Sequence, residues 1–343
     1  MKRIFSILSV FLAVAITTVS CSSSDDSPTL SSLATITDFT VAIDGVSADD
    51  ITYDLGTNIT VSVPFGTSLT AVVPTILVSE NATVSPVSGS EITFVDGEAK
   101  TFTVTAEDGD VTKDYTVTIN VKGEVGSGSR LETYVLADLY GENSTSTYAY
   151  NEANFVSQIS KEVNDWGEIS TTVFTLVYDD KNQVVEKKVE ASNESTMYTY
   201  EDGKITKANY TVDGTPTYTY EYTYNESGDL TTEKRTDHTD EDAVTEVMFT
   251  ITDGNVTVEN RFGDDYVATY DTNNNPFKGM YPAAYAAINV GIQAVNTNNP
   301  IEGTFADGTV TYEYNTDNYP LSASYTYFDG LATVDKSFTY YAN

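Results

Sequence analysis

Tyr218-Thr219-Tyr220-Glu221-Tyr222-Thr223-Tyr224 is the stretch that decides the fold of this chain. Successive side chains of a β-strand point to opposite faces, so these seven residues put four tyrosines on one face and Thr/Glu on the other. A strand with one aromatic and one wet face belongs to an antiparallel sheet that buries one side and solvates the other.

The same design recurs on both sides of that strand. Tyr150-Asn151-Glu152, Tyr178-Asp179-Asp180, Tyr200-Glu201-Asp202-Gly203, Tyr224-Asn225-Glu226-Ser227-Gly228, Tyr270-Asp271-Thr272-Asn273 and Tyr314-Asn315-Thr316-Asp317 each read as a strand ending in a turn. Their tyrosines are 28, 22, 24, 46 and 44 residues apart, a unit of two strands that is doubled in the later steps. Asp253-Gly254-Asn255 fills one doubled gap with a further hairpin turn. Residues 132–343 are therefore expected to form an antiparallel meander, closing into a soluble barrel or a strongly curved sheet, because an open edge invites aggregation. Only Pro282 to Val295 breaks the pattern. Tyr285, Ile288, Ile292 and Val295 lie at helical spacing after a proline suited to a first turn, which predicts one short helix that packs into the core, with a lid over a ligand cavity as the alternative.

These repeats, with Asn275-Pro276-Phe277, Asn298-Asn299-Pro300 and Tyr312-Glu313-Tyr314 leading to Tyr319-Pro320-Leu321, resemble a Bacteroidota family of unknown function with a porin-like fold. They also resemble, distantly, the tyrosine-aspartate repeats of secreted wrapping shells. The resemblance implies a barrel-like fold and assigns no activity. A membrane-spanning barrel needs a continuous apolar outer band, whereas the non-aromatic faces here are Thr, Glu, Lys and Asp, so a water-soluble barrel is expected.

Upstream, residues 34–122 read as seven or eight short strands that alternate Val/Ile/Phe with Thr/Ser, as in Asn58 to Val63, Lys100 to Ala106 and Tyr115 to Val121. About ninety residues with that many strands suit an immunoglobulin-like β-sandwich, here without its disulfide. Val63-Pro64-Phe65-Gly66-Thr67-Ser68-Leu69 and Val104 to Gly109, followed by Lys113 to Ile119, resemble a β-sandwich family of Bacteroidota surface lipoproteins. That resemblance implies a spacer or binding module. Between the two domains, residues 123–131 are rich in Gly and Ser and are expected to act as a flexible linker.

The amino terminus carries an export signal over residues 1–20: Lys2 and Arg3, an apolar run from Ile4 to Val19, then Ser20 before Cys21. As a membrane span the run would be about 16 residues, short of the roughly 20 a bilayer requires, so it is expected to be cleaved. Thr18-Val19-Ser20-Cys21 resembles a lipobox. Cys21, the sole cysteine, is the expected lipidation site, and no disulfide can form within the chain. Ser22-Ser23-Ser24-Asp25-Asp26 resembles the export signal of outer-surface lipoproteins, which implies an outer-membrane protein anchored through Cys21 and facing the exterior. Residues 21–33 then form the lipidated tether.

Charge excludes one class of partner. With 17 Lys+Arg against 51 Asp+Glu the chain carries −34, or −36 once Lys2 and Arg3 leave with the signal. Nucleic-acid binding needs clustered cations to displace counterions from phosphate, and no such cluster exists. Adsorption to anionic lipid is disfavoured likewise, which leaves the acyl chains as the membrane attachment. We expect a monomer that needs no cofactor.

Catalysis is tested by inventory. His238 is the sole histidine and lies in an acidic loop, so a Ser-His-Asp triad or a Cys/His zinc site has no parts. Paired carboxylates remain the one common design the composition supplies, yet most of the acids sit in turns, and a non-catalytic protein is expected. Asp237, Asp240, Glu241 and Asp242 offer oxygen ligands for calcium, without the Gly-centred order of an EF-hand loop. The functional expectation is a surface glycan- or polymer-binding module, with Trp166 as the residue that stacks on a sugar face. Two alternatives stand beside it: a structural or adhesive protein that meets surface proteins, and a binder of lipid or another apolar molecule in the aromatic concavity.

Overall fold

The computed structural model describes residues 29–165 and 167–342. The expected signal peptide, the Cys21 anchor and Trp166 lie outside them. Among the described residues no helix is long and apolar enough to cross a membrane.

The first domain has seven strands: β1 (Ile36–Ala42), β2 (Thr52–Asp54), β3 (Asn58–Val63), β4 (Val73–Val78), β5 (Thr83–Ser85), β6 (Ala99–Thr105) and β7 (Thr112–Val121). They form a β1-β4 sheet facing a β2-β3-β7-β6-β5 sheet, with β3 and β7 parallel. Alternation fixes the faces: Ile59, Val61 and Val63 of β3 and Tyr115, Val117 and Ile119 of β7 are buried. Phe39 and Phe102 meet edge to face across the sheets at 6.0 Å, and Phe94 stacks on Phe102. This aromatic core stabilises the sandwich without a disulfide.

The second domain is a single antiparallel sheet of sixteen strands. Its first half holds β8 (Leu131–Asp138), β9 (Ser144–Tyr150), β10 (Val156–Asp165), β11 (Glu168–Tyr178), β12 (Val184–Val189), β13 (Glu194–Glu201), β14 (Lys204–Val212) and β15 (Thr215–Tyr224). Its second half holds β16 (Leu230–Asp237), β17 (Ala243–Thr252), β18 (Asn255–Arg261), β19 (Asp264–Tyr270), β20 (Pro300–Gly303), β21 (Thr311–Tyr314), β22 (Pro320–Tyr327) and β23 (Ala332–Tyr340). From β8 to β20 and from β21 to β23 each strand pairs with its neighbour in sequence, β23 pairs with β8, and β20 and β21 are the two edge strands. These meet at a seam joined by Val310 N–H to Ile301 O (2.7 Å) and Thr309 Oγ1 to Glu302 Oε1 (2.6 Å). The result is a nearly closed barrel, and the edges that would template aggregation face each other.

Seven hairpins and the β20–β21 seam make up this barrel, and one hydrogen bond recurs in them. The last tyrosine of the returning strand donates its hydroxyl proton to the carbonyl oxygen at the start of the outgoing strand. Tyr150 bonds Leu131, Tyr178 bonds Val156, Tyr200 bonds Val184 and Tyr224 bonds Ile205. Tyr270 bonds Val256 and Tyr340 bonds Pro320, while at the seam the last tyrosine of β21, Tyr314, donates to Asp271 and the preceding Tyr312 bonds Pro300; the bonds to these carbonyls all lie within 2.5–3.0 Å. Only the β16–β17 hairpin lacks it, because Ile251 stands where the tyrosine would be. The residue after the tyrosine shapes the turn into the next hairpin. Asn151 Oδ1 accepts from Phe155 N–H, Asp179 Oδ1 from Lys181 and Gln183, Asn225 Oδ1 from Asp229, and Asn315 Oδ1 from Asp317 and Tyr319.

The segment between β19 and β20 is an insertion in one such turn. Asp271 Oδ1 still accepts from Asn299 N–H at 3.0 Å, as Asp179 does from Gln183, while the residues between them fold back into the barrel. There Met280 is fully buried and Tyr285 packs edge to face on Tyr198 at 5.3 Å. The predicted helix is shorter than its spacing suggested: α1 spans Ala283–Ile288. Asn289 ends it by donating its side-chain amide to Tyr285 O at 2.6 Å, and Asn296 then holds the Gly291 and Ile292 carbonyls. Ile292 is buried in a second apolar cluster, off the helix. The helix is a core element, as its apolar spacing implied.

The Gly/Ser run departs from the expectation of a flexible linker, because it is docked on the base of the barrel. Gly126 N–H bonds Ala153 O (2.7 Å), Gly128 N–H bonds Gly279 O (3.2 Å), and Ser129 Oγ bonds Pro276 O (3.1 Å). A Cβ on Gly128 would lie 2.7 Å from the Gly279 carbonyl carbon, so glycine here permits a close backbone crossing. Lys181 completes the joint, with an ion pair to Asp96 of the sandwich (2.9 Å) and a bond to Val121 O (2.7 Å).

Two outcomes test this reading. Tyr178→Phe leaves the Val156 carbonyl without its tyrosine donor and should cost about 1 kcal/mol in urea unfolding; an unchanged midpoint would show the bond to be incidental. Gly128→Ala should loosen the joint, seen as new proteolytic cutting within 123–131 while the sandwich and barrel stay intact; protection equal to the parent chain would refute the docking.

Candidate functional site

Strand register sorts the wall into two faces. The outside carries Thr219, Glu221 and Thr223 of β15 and Thr232, Lys234 and Thr236 of β16. The inside carries, from base to mouth, Tyr224, Tyr222, Tyr220 and Tyr218 of β15, beside Glu233 and Arg235 of β16. The sandwich and the plugging insertion occupy the base, where the tyrosine latches lie. The mouth is formed by the opposite turns, and the lumen near it is the concave surface left uncovered.

The lumen wall pairs aromatic rings with cations. Arg235 sits 4.9 Å from the ring centre of Tyr218, Lys187 4.8 Å from Phe174, Lys336 5.4 Å from Tyr325 and Arg261 5.9 Å from Tyr266. Tyr210 stacks on Tyr218 at 5.6 Å, and Tyr220 on Tyr222 at 6.5 Å. A recess of about 270 Å³ opens among Phe174, Lys187, Glu194, Tyr210, Tyr220 and Glu233. A second, of about 350 Å³, lies among Glu259, Arg261, Tyr266, Gln293 and Phe305. Burial raises the proton affinity of Tyr222 and of the Glu233 carboxyl, and lowers that of Lys187. It pushes Lys336 down to about 8, although Gln293 Oε1 accepts from its ammonium at 2.6 Å.

Aromatic residues also crown the mouth. Phe262 is 84% exposed and Phe328 65%, each with a left-handed backbone (φ 56° for both). Such turns elsewhere in the barrel use Asp202-Gly203, Asp213-Gly214 and Asp253-Gly254. A bulky side chain at positive φ strains the turn, and these two rings bury little in return. Tyr140, 68% exposed, stands on the adjoining β8–β9 turn.

The residues expected from sequence fare differently. The strands that flank Trp166, β10 and β11, end at this mouth, although Trp166 itself is outside the described residues. Asp237 ends β16, and Asp240 and Asp242 lie in the mouth loop that follows it. Asp237 Oδ1 accepts from Thr239 N–H and Oγ1 (2.9 and 2.7 Å), and Asp242 faces His238 Nδ1 at 2.6 Å. The Asp237 and Asp242 carboxylates serve their own loop, and no group of three or more His, Cys, Asp or Glu placed to hold a metal is found among the described residues. The lumen cations went unremarked in the sequence because their shared face follows from register. Phe262-Gly263 carried a local signal, a phenylalanine where the sister turns have aspartate.

Residues 36–119 match the family model described as "SGBP, N-terminal", the amino-terminal part of surface glycan-binding proteins. No curated protein matches the chain. A porin-like protein from Bacteroides uniformis aligns at 15% identity and TM-score 0.43, over 62% of this chain and 98% of its own. A candidate glycoside hydrolase from Bacteroides thetaiotaomicron aligns at 14% identity and TM-score 0.24, over 92% of each chain. A DUF4623 family protein from Bacteroides eggerthii aligns at 10% identity and TM-score 0.21, over 88% and 99%. With TM-scores below 0.5 these likenesses are partial, and the fold stands on the strand pairing itself.

The lumen electrostatics make a stability prediction. The folded chain releases the Lys336 proton near pH 8, whereas the unfolded chain holds it to about its ordinary value of 10.5. Lys336 therefore costs stability at neutral pH, and the cost fades as pH rises from about 8 towards 10. Lys336→Met should be more stable at neutral pH by on the order of 1–2 kcal/mol, with the advantage shrinking through that window; a pH-independent difference would contradict the assignment.

Proposed function

We propose that the chain is a non-catalytic glycan-binding protein of the bacterial surface, whose sugar site is the distal lumen of the barrel and its aromatic rim. The observation that carries this reading is strain without burial: Phe262 and Phe328 hold left-handed turns and expose their rings. A turn that keeps phenylalanine where aspartate would fold better is explained by a contact outside the chain. Flat rings beside hydrogen-bonding groups suit sugar faces, whose C–H patches alternate with hydroxyls.

The sandwich match supports the class of ligand, since the matching family is the amino-terminal domain of surface glycan-binding proteins. Geometry supports the direction of presentation. A lipid at Cys21 and a tether to residue 33 would enter through the sandwich, which joins the barrel at the end opposite the mouth. The lumen would then open away from the membrane. Charged groups at Lys187, Glu233, Arg235 and Lys336 disfavour an apolar guest, which sets the lipid alternative aside.

Screening of the full chain on a glycan array, followed by calorimetry on the best binder, tests the proposal. Phe262→Asn and Tyr218→Ala should each weaken binding about tenfold or more, a loss of ~1.4 kcal/mol. Phe262→Asn should leave the melting temperature unchanged or raised, since Asn tolerates positive φ. Trp166→Ala should also weaken binding. An empty array together with adhesion to protein-coated surfaces would instead establish the adhesive alternative.

A further inference from the structure

On the glycan reading above, which this inference presupposes, the closed base of the barrel decides which part of a sugar chain can enter. The insertion after β19 packs against strands all round the base. Met280 and Tyr285 share one apolar cluster with Leu131 of β8, Val184 of β12, Ile205 of β14 and Phe338 of β23. Met280 is fully buried, and its carbonyl accepts from Val156 N–H of β10 at 2.9 Å. Ile292 closes the other side against Val256 of β18 and Ala268 of β19. No polymer can thread through such a floor, so the lumen is a well with one opening.

The two recesses of the well share that floor. Tyr285, Ile288 and Asn289 of the insertion line the recess between β11 and β16, and Val290 to Ala294 line the one against β18 and β19. The first measures about 270 Å³, below the roughly 300–1,000 Å³ of pockets that enclose a drug-sized molecule, which is room for a single sugar ring. An internal segment of a polymer would have to fold double to reach it. A chain end reaches it directly.

The lining also selects by charge. Lys187 stands in this recess with Glu194 and Glu233, and burial favours the protonated form of Glu233. One ammonium and one carboxylate are left in a wall of aromatic rings, among them Phe174, Tyr210 and Tyr220. Sugar hydroxyls serve both groups, since each donates one hydrogen bond and accepts others. An acidic sugar would set a second negative charge beside Glu194, and a cationic one would meet Lys187. In the other recess the cation is already taken, because Arg261 pairs with Glu259.

We propose that the barrel binds neutral glycans by their ends, the terminal ring descending into the recess between β11 and β16 to lie against Phe174 and Tyr220 while the following sugars leave over the rim. The well then counts chain ends, not chain length.

Calorimetry on the full chain compares a neutral hexasaccharide with the long polymer of the same linkage: maltohexaose with amylose, mannohexaose with mannan, or the matching pair for any other neutral linkage that the array selects. End binding predicts one protein per sugar chain for both members of a bound pair, so capacity per gram falls in proportion to chain length. Hexagalacturonate should bind at least tenfold more weakly than the bound neutral hexasaccharide. Phe174→Ala should weaken that hexasaccharide at least tenfold, whereas Phe174→Tyr, which keeps the ring, and Lys234→Gln, on the outer wall, should retain it. Several copies of the protein along one polymer chain, a preference for hexagalacturonate, or full affinity in Phe174→Ala would overturn the inference and leave the glycan reading standing. Failure of every sugar on the array would remove both.

Discussion

The bond from a tyrosine hydroxyl to the carbonyl at the open end of its own hairpin is the interaction on which the barrel depends. Distal turns hold each hairpin at one end, and the ladder holds its middle. At the base the two strands diverge into separate turns, and there a strand-start carbonyl would face the interior. The tyrosine satisfies that carbonyl and fills the space beneath it with a ring, so one residue settles a polar demand and a packing demand together. Repeated around the sheet, it makes a floor of rings onto which the plug can settle. Burial of these phenols is the common reason their proton affinities rise, as at Tyr224, pushed up to about 12.

That constraint separates the structural tyrosines from the functional ones. On β15 the same alternation produces Tyr224, which latches, and Tyr218, which does not, although the two are indistinguishable in composition. Depth along the lumen decides the role. At the base a phenol has a carbonyl to meet; near the mouth it has a cation above it and open space in front. A single period-two pattern thus supplies both the fixed floor and the adaptable wall, and the wall can vary without disturbing the latches.

Much of the architecture was legible because it follows from local rules. Alternation in Tyr218–Tyr224 gave the sheet its faces, Asp-Gly and Tyr-Asn pairs gave the turns, and the spacing of the tyrosines gave the two-strand unit. Features set by distant partners were not legible. The run from Gly123 to Ser129 has the composition of a flexible linker, and only the approach of Gly279 and Ala153 turns its glycines into contact points. The helix at Ala283 has a continuing apolar period, yet Asn289 and Asn296 capture its carbonyls and divert the chain. Lys187 and Glu233 share a recess by register across several strands, a relation that no short window contains.

The pairing of β8 with β23 carries a consequence for how the molecule comes into being. Thr133 and Thr339 share a hydrogen bond across 206 residues, so the first strand of the barrel waits for the last. Until the carboxy-terminal hairpin arrives, β8 and β20 are both raw edges and the tyrosine floor is a curved sheet open to water. Contacts so remote in sequence form late, because the chain between them loses its freedom before they repay it. The final hairpin is therefore a seal that reports completion: a chain cut short would display two sticky borders and an aromatic face, which are the features by which unfinished β-proteins aggregate or are cleared.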